Sequence, residues 1–500
     1  MEESHTSNNT TQAFWIAIGS LFSFLFTLVS SAILSRYLTK DDYGTYKQVM
    51  YVYHTLLSVF TLGLPLAYSF FLPRVSLAEG KALTNKLNGV FFILGFFFSI
   101  TLYLSADLVS EILNNKELSK TIRIFSPSPI FMLPTMGLQG VLATYKMTIL
   151  NAAYVVISRF FMLFCVVLPV CLISADVKMA LWGFVVSSFI SMVVAFYIMR
   201  IPFRDVKIKH TNISYKEIFN YSLPLMIAGL LGVAINASDQ FYVSRYFGQR
   251  VFADFANGSL ELPFVGMVLS ACGTVLLPVF SRLICEDTPI TEILDLWKRT
   301  AIKASYVLYP LIVFCMFFAT DIMAFIYGSQ YATSGIYFRI MLIANFFTVV
   351  QFYPIILALG KTKQYAIVHI IIFFLVWIGE GLVVWISDTA ISVTVTSVIF
   401  KIMKIILLMS VISSSIGVKV WHLFPMSGLL KVALCCFFSG LSIFFLTRIS
   451  ILPNLQFLFL MIKFVTYSVV VWALGKRMGI NYVSLILPVI KKYINRTFDK

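Results

Sequence analysis

Apolar runs alternate with short polar stretches along the whole chain. Fourteen are long enough to read as membrane helices: 12–34, 48–71, 88–106, 126–144, 148–173, 179–199, 218–242, 254–279, 300–320, 334–359, 365–386, 390–414, 428–447 and 455–474. About 20 helical residues cross a hydrocarbon layer of roughly 30 Å, and most of these runs meet that length. No polar connection between them approaches the size of a soluble domain. The pattern therefore predicts an all-α integral membrane protein with about 14 transmembrane helices, and it places the function among them.

Composition supplies the solvent. Of 500 residues, 59% are hydrophobic and 12% charged, with 48 phenylalanines. Soluble domains carry roughly 25% charged residues. No water-surrounded core hides this much apolar surface, so lipid must surround most of the chain. The excess of 38 Lys and Arg over 22 Asp and Glu fits a positive-inside bias better than nucleic-acid binding. With the N-terminus inside, 21 cations fall in cytoplasmic connections and the tail, against 10 in the opposite ones. This predicts that both termini are cytoplasmic. Glu2 and Glu3 stand where a signal peptide would be basic, so none is expected. The seven scattered cysteines, with no C-x-x-C spacing, read as apolar filler.

The chain also repeats itself. Ser35-Arg36-Tyr37-Leu38 matches Ser244-Arg245-Tyr246-Phe247 at an offset of 209, and Tyr43-Gly44-Thr45-Tyr46 aligns with Phe252-Ala253-Asp254-Phe255 at the same offset. Lys146 and Lys361 correspond at 215. Six segments separate the copies, so both halves enter the membrane in the same direction. The expectation is two six-helix bundles in a parallel pseudo-twofold repeat, 1–205 and 206–416. Two additional helices follow at 417–475, then a basic cytoplasmic amphipathic tail at 476–500. A cavity between such bundles suits alternating access.

The stretch S-R-Y-L-T-K-D-D-Y-G-T-Y resembles the R-x-L-G-x-x-x-Y-G-x-Y signature of Wzx-type polysaccharide flippases. N-A-S-D-Q-F-Y-V-S-R-Y-F-G, L-L-P-V-F-S-R and Y-G-S-Q-Y are similar to later motifs of that family, with Phe252-Ala253 departing from its usual Gly-containing pair. The resemblance implies the multidrug/oligosaccharidyl-lipid/polysaccharide exporter superfamily, which includes lipid II flippases and multidrug exporters.

Ionisable groups inside hydrocarbon cost several kcal/mol unless they face water or a partner. Arg159 lies mid-segment and is expected either to line a cavity or to pair with an acid. Lys401 and Lys404 share a helix face; they are expected to line the cavity, to reach an interface or to pair with Glu380. Arg339 and Arg36 complete the candidate cavity cations. Lys303 and Lys431 are placed to snorkel, and Lys463 has no assigned role. Asp239, Asp254, Glu261 and Glu380 are candidates for ion coupling or gating. For Asp239 and Asp254 the alternative is structural pairing with Arg245 across the outer rim. His369 reads as a packed polar residue.

No enzyme motif is complete. Gly360-Lys361-Thr362 resembles the end of a P-loop, but Ile355 replaces the required first glycine. The five histidines have no zinc-binding spacing, and no metal is expected. Embedded cations outnumber embedded acids seven to four, the balance expected for an anionic cargo. The expectation is therefore a flippase for an undecaprenyl-pyrophosphate-linked oligosaccharide. A lipid II flippase and a multidrug exporter stay open, and a membrane polymerase or glycosyltransferase fits less well. The expected partners are the lipid-linked oligosaccharide, membrane lipids, a polysaccharide polymerase and other assembly proteins, with no nucleic acid. A monomer is expected, with no cofactor beyond H⁺ or Na⁺ as coupling ion.

Overall fold

A computed structural model describes residues 2–350, 352–446 and 456–482. It is all-α, 86% helix, with no strand among the described residues. Residues 483–500, most of the expected amphipathic tail, lie outside the described residues.

The chain forms two compact units, Met1–Ala256 with Glu380–Ala390, and Asn257–Gly379 with Ile391–Lys500. The expected boundaries at 205/206 and 416/417 fall inside the first and second unit respectively. The first unit contains α1 (Glu2–Tyr37), α2 (Lys40–Phe60), α3 (Leu64–Phe71), α4 (Leu77–Ile112), α5 (Lys116–Phe125), α6 (Ser128–Met132), α7 (Leu138–Thr144), α8 (Thr148–Leu172), α9 (Val177–Met199) and nearly all of α10 (Tyr215–Gly258). The second is built from α11 (Pro263–Cys285), α12 (Ile290–Phe317), α13 (Ala319–Tyr327), α14 (Ser334–Thr348), α15 (Phe352–Ala358), α16 (Thr362–Ile386), α17 (Ala390–Ile416), α18 (Val420–Leu423), α19 (Met426–Leu446) and α20 (Gln456–Arg477), with the end of α16 belonging to the first.

Among the described residues, eleven helices are long and apolar enough to cross a membrane, or twelve if one bent pair is a single span. The expected count of fourteen is not confirmed among these residues, and two of the expected segments are divided. In 126–144, Pro127, Pro129 and Pro134 replace one helix by α6, a 3-10 turn over Leu133–Gly137, and α7. Proline supplies no N–H and cannot sit inside a continuous ladder without a break. Segment 254–279 is cut at 259–262, its first residues closing α10 and the rest entering α11. The bent pair is α2 with Leu64–Arg74, which turn by 45° where Leu62 and Gly63 take positive φ.

Local chemistry sets the helix starts. Thr39 caps α2 by accepting from Asp42 N–H, Ser76 and Glu79 form a capping box on α4, and Asn115 caps α5. Within α10, Gly248 adopts φ 76° and ψ 172°, a conformation open to glycine alone, and breaks the helix there. That break lies 209 positions after Thr39.

The first unit's core joins four helices through Tyr53, Phe60, Phe98, Phe125 and Phe184. Phe60 and Phe98 stack at 4.5 Å, and Tyr53 meets Phe125 at 5.2 Å. In the second unit Phe314 contacts both Phe464 and Tyr467 of α20. Outward faces carry Leu104, Trp385 and Trp421 almost bare. In water each would forfeit about 1.5–3 kcal/mol of burial; in lipid it does not. This is a multi-pass membrane protein.

Candidate functional site

Arg159 is the twelfth of the 25 residues of α8. It shares a stripe at helical spacing with buried Ala152 and Val166, so it faces protein rather than lipid. Its Nη1 approaches Met162 Sδ at 3.7 Å, and its charge reaches Tyr53, His54 and Tyr154. Among the described residues no carboxylate lies within ion-pair distance of it. The acid partner considered from the sequence is absent among these residues.

The other candidate cations occupy different places. Arg36 is exposed in the last turn of α1. Lys401 and Lys404, one turn apart and half-buried on α17, belong to the second unit; Lys401 Nζ lies 3.7 Å from Met341 Sδ. The charge of Lys404 reaches His369, whose Nδ1 is 2.9 Å from the Tyr365 carbonyl. Glu380, considered as partner of these lysines, falls in the first unit. Arg339 donates from Nε to the Met316 carbonyl at 2.9 Å. It lines an apolar groove of about 620 Å³ walled by Phe317, Phe346, Phe437 and Phe444. Lys303 and Lys431 stand exposed. Lys463 acquires a partner, pairing with Asp321 at 2.7 Å while lying over the Phe318 ring.

The acids also separate. Asp239 and Glu380 are both buried in the first unit, and the fields of both reach Tyr51, whose hydroxyl donates to the Ala237 carbonyl at 3.1 Å. Glu380 also acts on Tyr242. Asp254 is buried and pairs with Lys40 at 2.7 Å. The expected pairing with Arg245 is not formed: the Arg245 guanidinium donates to the Ile112 carbonyl. Glu261, expected on a helix, lies exposed in the turn before α11, because Pro263 starts that helix two residues later.

Sequence reasoning missed a buried polar chain in the first unit. Asn115 Nδ2 donates to Thr45 Oγ1 at 2.9 Å and to Gln48 Oε1 at 2.5 Å, and Gln48 Nε2 donates to Ser244 Oγ at 2.8 Å. Asn115, Gln48 and Ser244 are all buried. Above them Arg250 grips Asp41 through Nε at 2.8 and 2.9 Å and Nη2 at 2.7 Å. A Cβ at Gly44 would overlap the Gln249 carbonyl, so glycine permits this approach. Asp41 and Arg250 are 209 residues apart, the offset of the repeated motif. The two motif copies thus touch, and one ion pair joins equivalent positions.

The family described as "Polysaccharide biosynthesis protein" matches residues 10–284, more than half of the chain. The chain belongs to that family. No curated protein matches it by sequence. Among solved structures it is similar to the lipid II flippase MurJ in an inward closed conformation, with TM-score 0.71 and 16% identity over 94% of this chain and 99% of that one. It is also similar to an inward-facing multidrug resistance MATE family transporter of the MOP superfamily, with TM-score 0.61 and 14% identity over 80% and 98% of the two chains. A MOP superfamily transporter from Pyrococcus furiosus aligns with TM-score 0.55 and 16% identity over 82% and 96%. At these identities the likeness establishes the fold alone.

Proposed function

We propose that this protein is a flippase that moves an undecaprenyl-pyrophosphate-linked oligosaccharide repeat unit from the inner to the outer leaflet by alternating access. It would serve surface polysaccharide such as capsule, O-antigen or exopolysaccharide. The observation that carries the reading is Arg159: a guanidinium deep in a membrane helix, facing inward, with no carboxylate near it among the described residues. An isolated cation there costs several kcal/mol unless water or an anionic ligand reaches it. A pyrophosphate or acidic sugar matches its fork. Lys401, Lys404, Arg36 and Arg339 are the further candidate cargo contacts. The Arg339 groove, apolar apart from one cation, suits a polyprenyl chain next to its phosphates.

Asp239 and Glu380, buried near one tyrosine, are the candidate coupling pair for H⁺ or Na⁺. The contact between motif copies, including Asp254 with Lys40, is the gate that parts during each cycle. Glu261, on the exposed turn beyond α10, borders this gate in sequence. The chain sits in the inner membrane with both termini cytoplasmic and acts as a monomer alongside a polysaccharide polymerase and other assembly proteins. Deleting the gene should abolish the surface polymer while lipid-linked units accumulate on the cytoplasmic face.

A second reading, transport of lipid II itself, is favoured by the extent of the MurJ likeness. Intact polymer with arrested peptidoglycan synthesis would select it. Drug export fits less well, since the embedded charge favours anions.

A further inference from the structure

The segment 200–216 connects α9 to α10 and is pinned from one side. Lys81 Nζ donates to the carbonyls of Phe203 at 3.3 Å and Val206 at 2.7 Å, and Lys86 Nζ donates to the Ile213 carbonyl at 2.6 Å. Lys86 also lies over the Tyr215 ring at 4.1 Å. The Lys209 N–H donates to the Ala78 carbonyl at 3.2 Å, and its ammonium pairs with Glu79 at 3.3 Å. Phe203 is buried edge-on to Tyr145, with ring centroids 5.2 Å apart. The strap is therefore ordered although residues 206–214 form no helix.

Its outer side has a different character. Arg200, Arg204, Lys207 and Lys216 are exposed, and among the described residues none has an ion-pair partner. The only acid in the segment is the exposed Asp205. Between the cations stand Ile208, 61% exposed, and Tyr215, 52% exposed. Non-helical backbone is excluded from lipid-exposed hydrocarbon. A strap joining the ends of two membrane helices, with bare apolar side chains among bare cations, lies where headgroups meet acyl chains.

We propose that this strap is a docking surface for anionic phospholipid headgroups, with Arg200, Arg204, Lys207 and Lys216 meeting phosphates while Ile208 and Tyr215 enter the interface. The cations are spread along the strap and do not converge on one pocket. That spacing suits a field of singly charged headgroups rather than one chelated diphosphate. Each basic residue beside an anionic leaflet multiplies association about fivefold. The proposal holds whatever the cargo is, because it needs only the membrane location.

The test uses the full chain in nanodiscs of phosphatidylcholine with or without phosphatidylglycerol, carrying a nitroxide at Ile208→Cys in a background whose native cysteines are Ser. Phosphatidylglycerol should immobilise and bury the label, and 0.5 M salt should weaken the effect. Neutralising Arg200, Arg204, Lys207 and Lys216 to Gln should cut retained phosphatidylglycerol, read by native mass spectrometry, by at least about tenfold. The charge-preserving Arg200→Lys/Arg204→Lys variant should retain it, as should a control with Lys116, Lys120 and Lys178 changed to Gln. Equal label mobility in both bilayers overturns the proposal, as does undiminished lipid retention by the Gln variant. A label that responds only to added inorganic pyrophosphate in phosphatidylcholine would also overturn it, by assigning the strap to a soluble or cargo phosphate.

Discussion

Arg159, half-buried, and Lys463, buried, are both cations within membrane helices, yet they have opposite surroundings. Lys463, 7% exposed, sits 2.7 Å from Asp321 and above the Phe318 ring, which fastens α20 to α13. Arg159 has a thioether and aromatic neighbours, with no carboxylate nearby among the described residues. A membrane cation with an acid partner can be accounted for by structure alone. One without it leaves its desolvation cost unmet until something else arrives. The same residue class inside membrane helices thus serves adhesion in one place and, we propose, recognition in the other.

Arg159→Ala should break this contrast most sharply. Flux of the lipid-linked cargo in proteoliposomes should fall roughly ten- to hundredfold, the loss expected for one charge-assisted fork. The amount of folded protein should hold, and Arg159→Lys should keep part of the rate. Normal flux per folded molecule would remove Arg159 from recognition.

Lys463→Ala should do the reverse, lowering thermal stability while each folded molecule transports normally. The loss should be about 1–3 kcal/mol, below that of a fully buried pair because Asp321 is half exposed. Lys463→Met with Asp321→Leu should recover most of it. A transport defect without a stability defect would erase the distinction between the two cations.

Gln48→Leu extends the comparison to a neutral network. It leaves Asn115 and Ser244 without the group that bridges them, at a cost of about 1–3 kcal/mol. Hydrogen exchange around 240–250 should accelerate, and unchanged exchange would show that the chain does not hold the motif copies together. The smallest effect belongs to the exposed Asp41–Arg250 pair. Asp41→Arg and Arg250→Asp should each speed exchange at the rim, whereas the exchanged pair should restore it, because opposite charges again meet there. A double variant worse than either single one would show that this ion pair does not hold the rim.

Much of this architecture was legible along the chain. The apolar runs located most of the helices, and the motif at offset 209 marked the turn at Thr39 and the break at Gly248. The prolines that divide 126–144 were also visible, but apolar length outweighed them in the prediction. Glu261 was assigned to a helix for the same reason, although Pro263 marks where that helix starts. For the candidate site, the depth of Arg159 was readable and its lack of an acid neighbour was not. Asp41 and Arg250 correspond under the repeat offset, but correspondence alone does not specify contact. Gln48 and Asn115 carried no such signal, being neutral and sharing no motif.

Composition and periodicity by themselves determined that this chain lives in lipid and that its helices carry charge at costly depth. Those properties depend on one residue and its neighbours along a helix. Partnership belongs to the tertiary structure. Lys463 meets Asp321 across 142 residues and Gln48 meets Ser244 across 196. Helical spacing specifies which face a side chain occupies but not which helix packs against it. Whether an embedded charge is neutralised therefore rests on packing between distant segments, and that packing alone separated the cation paired with an acid from the one with no carboxylate near it among the described residues.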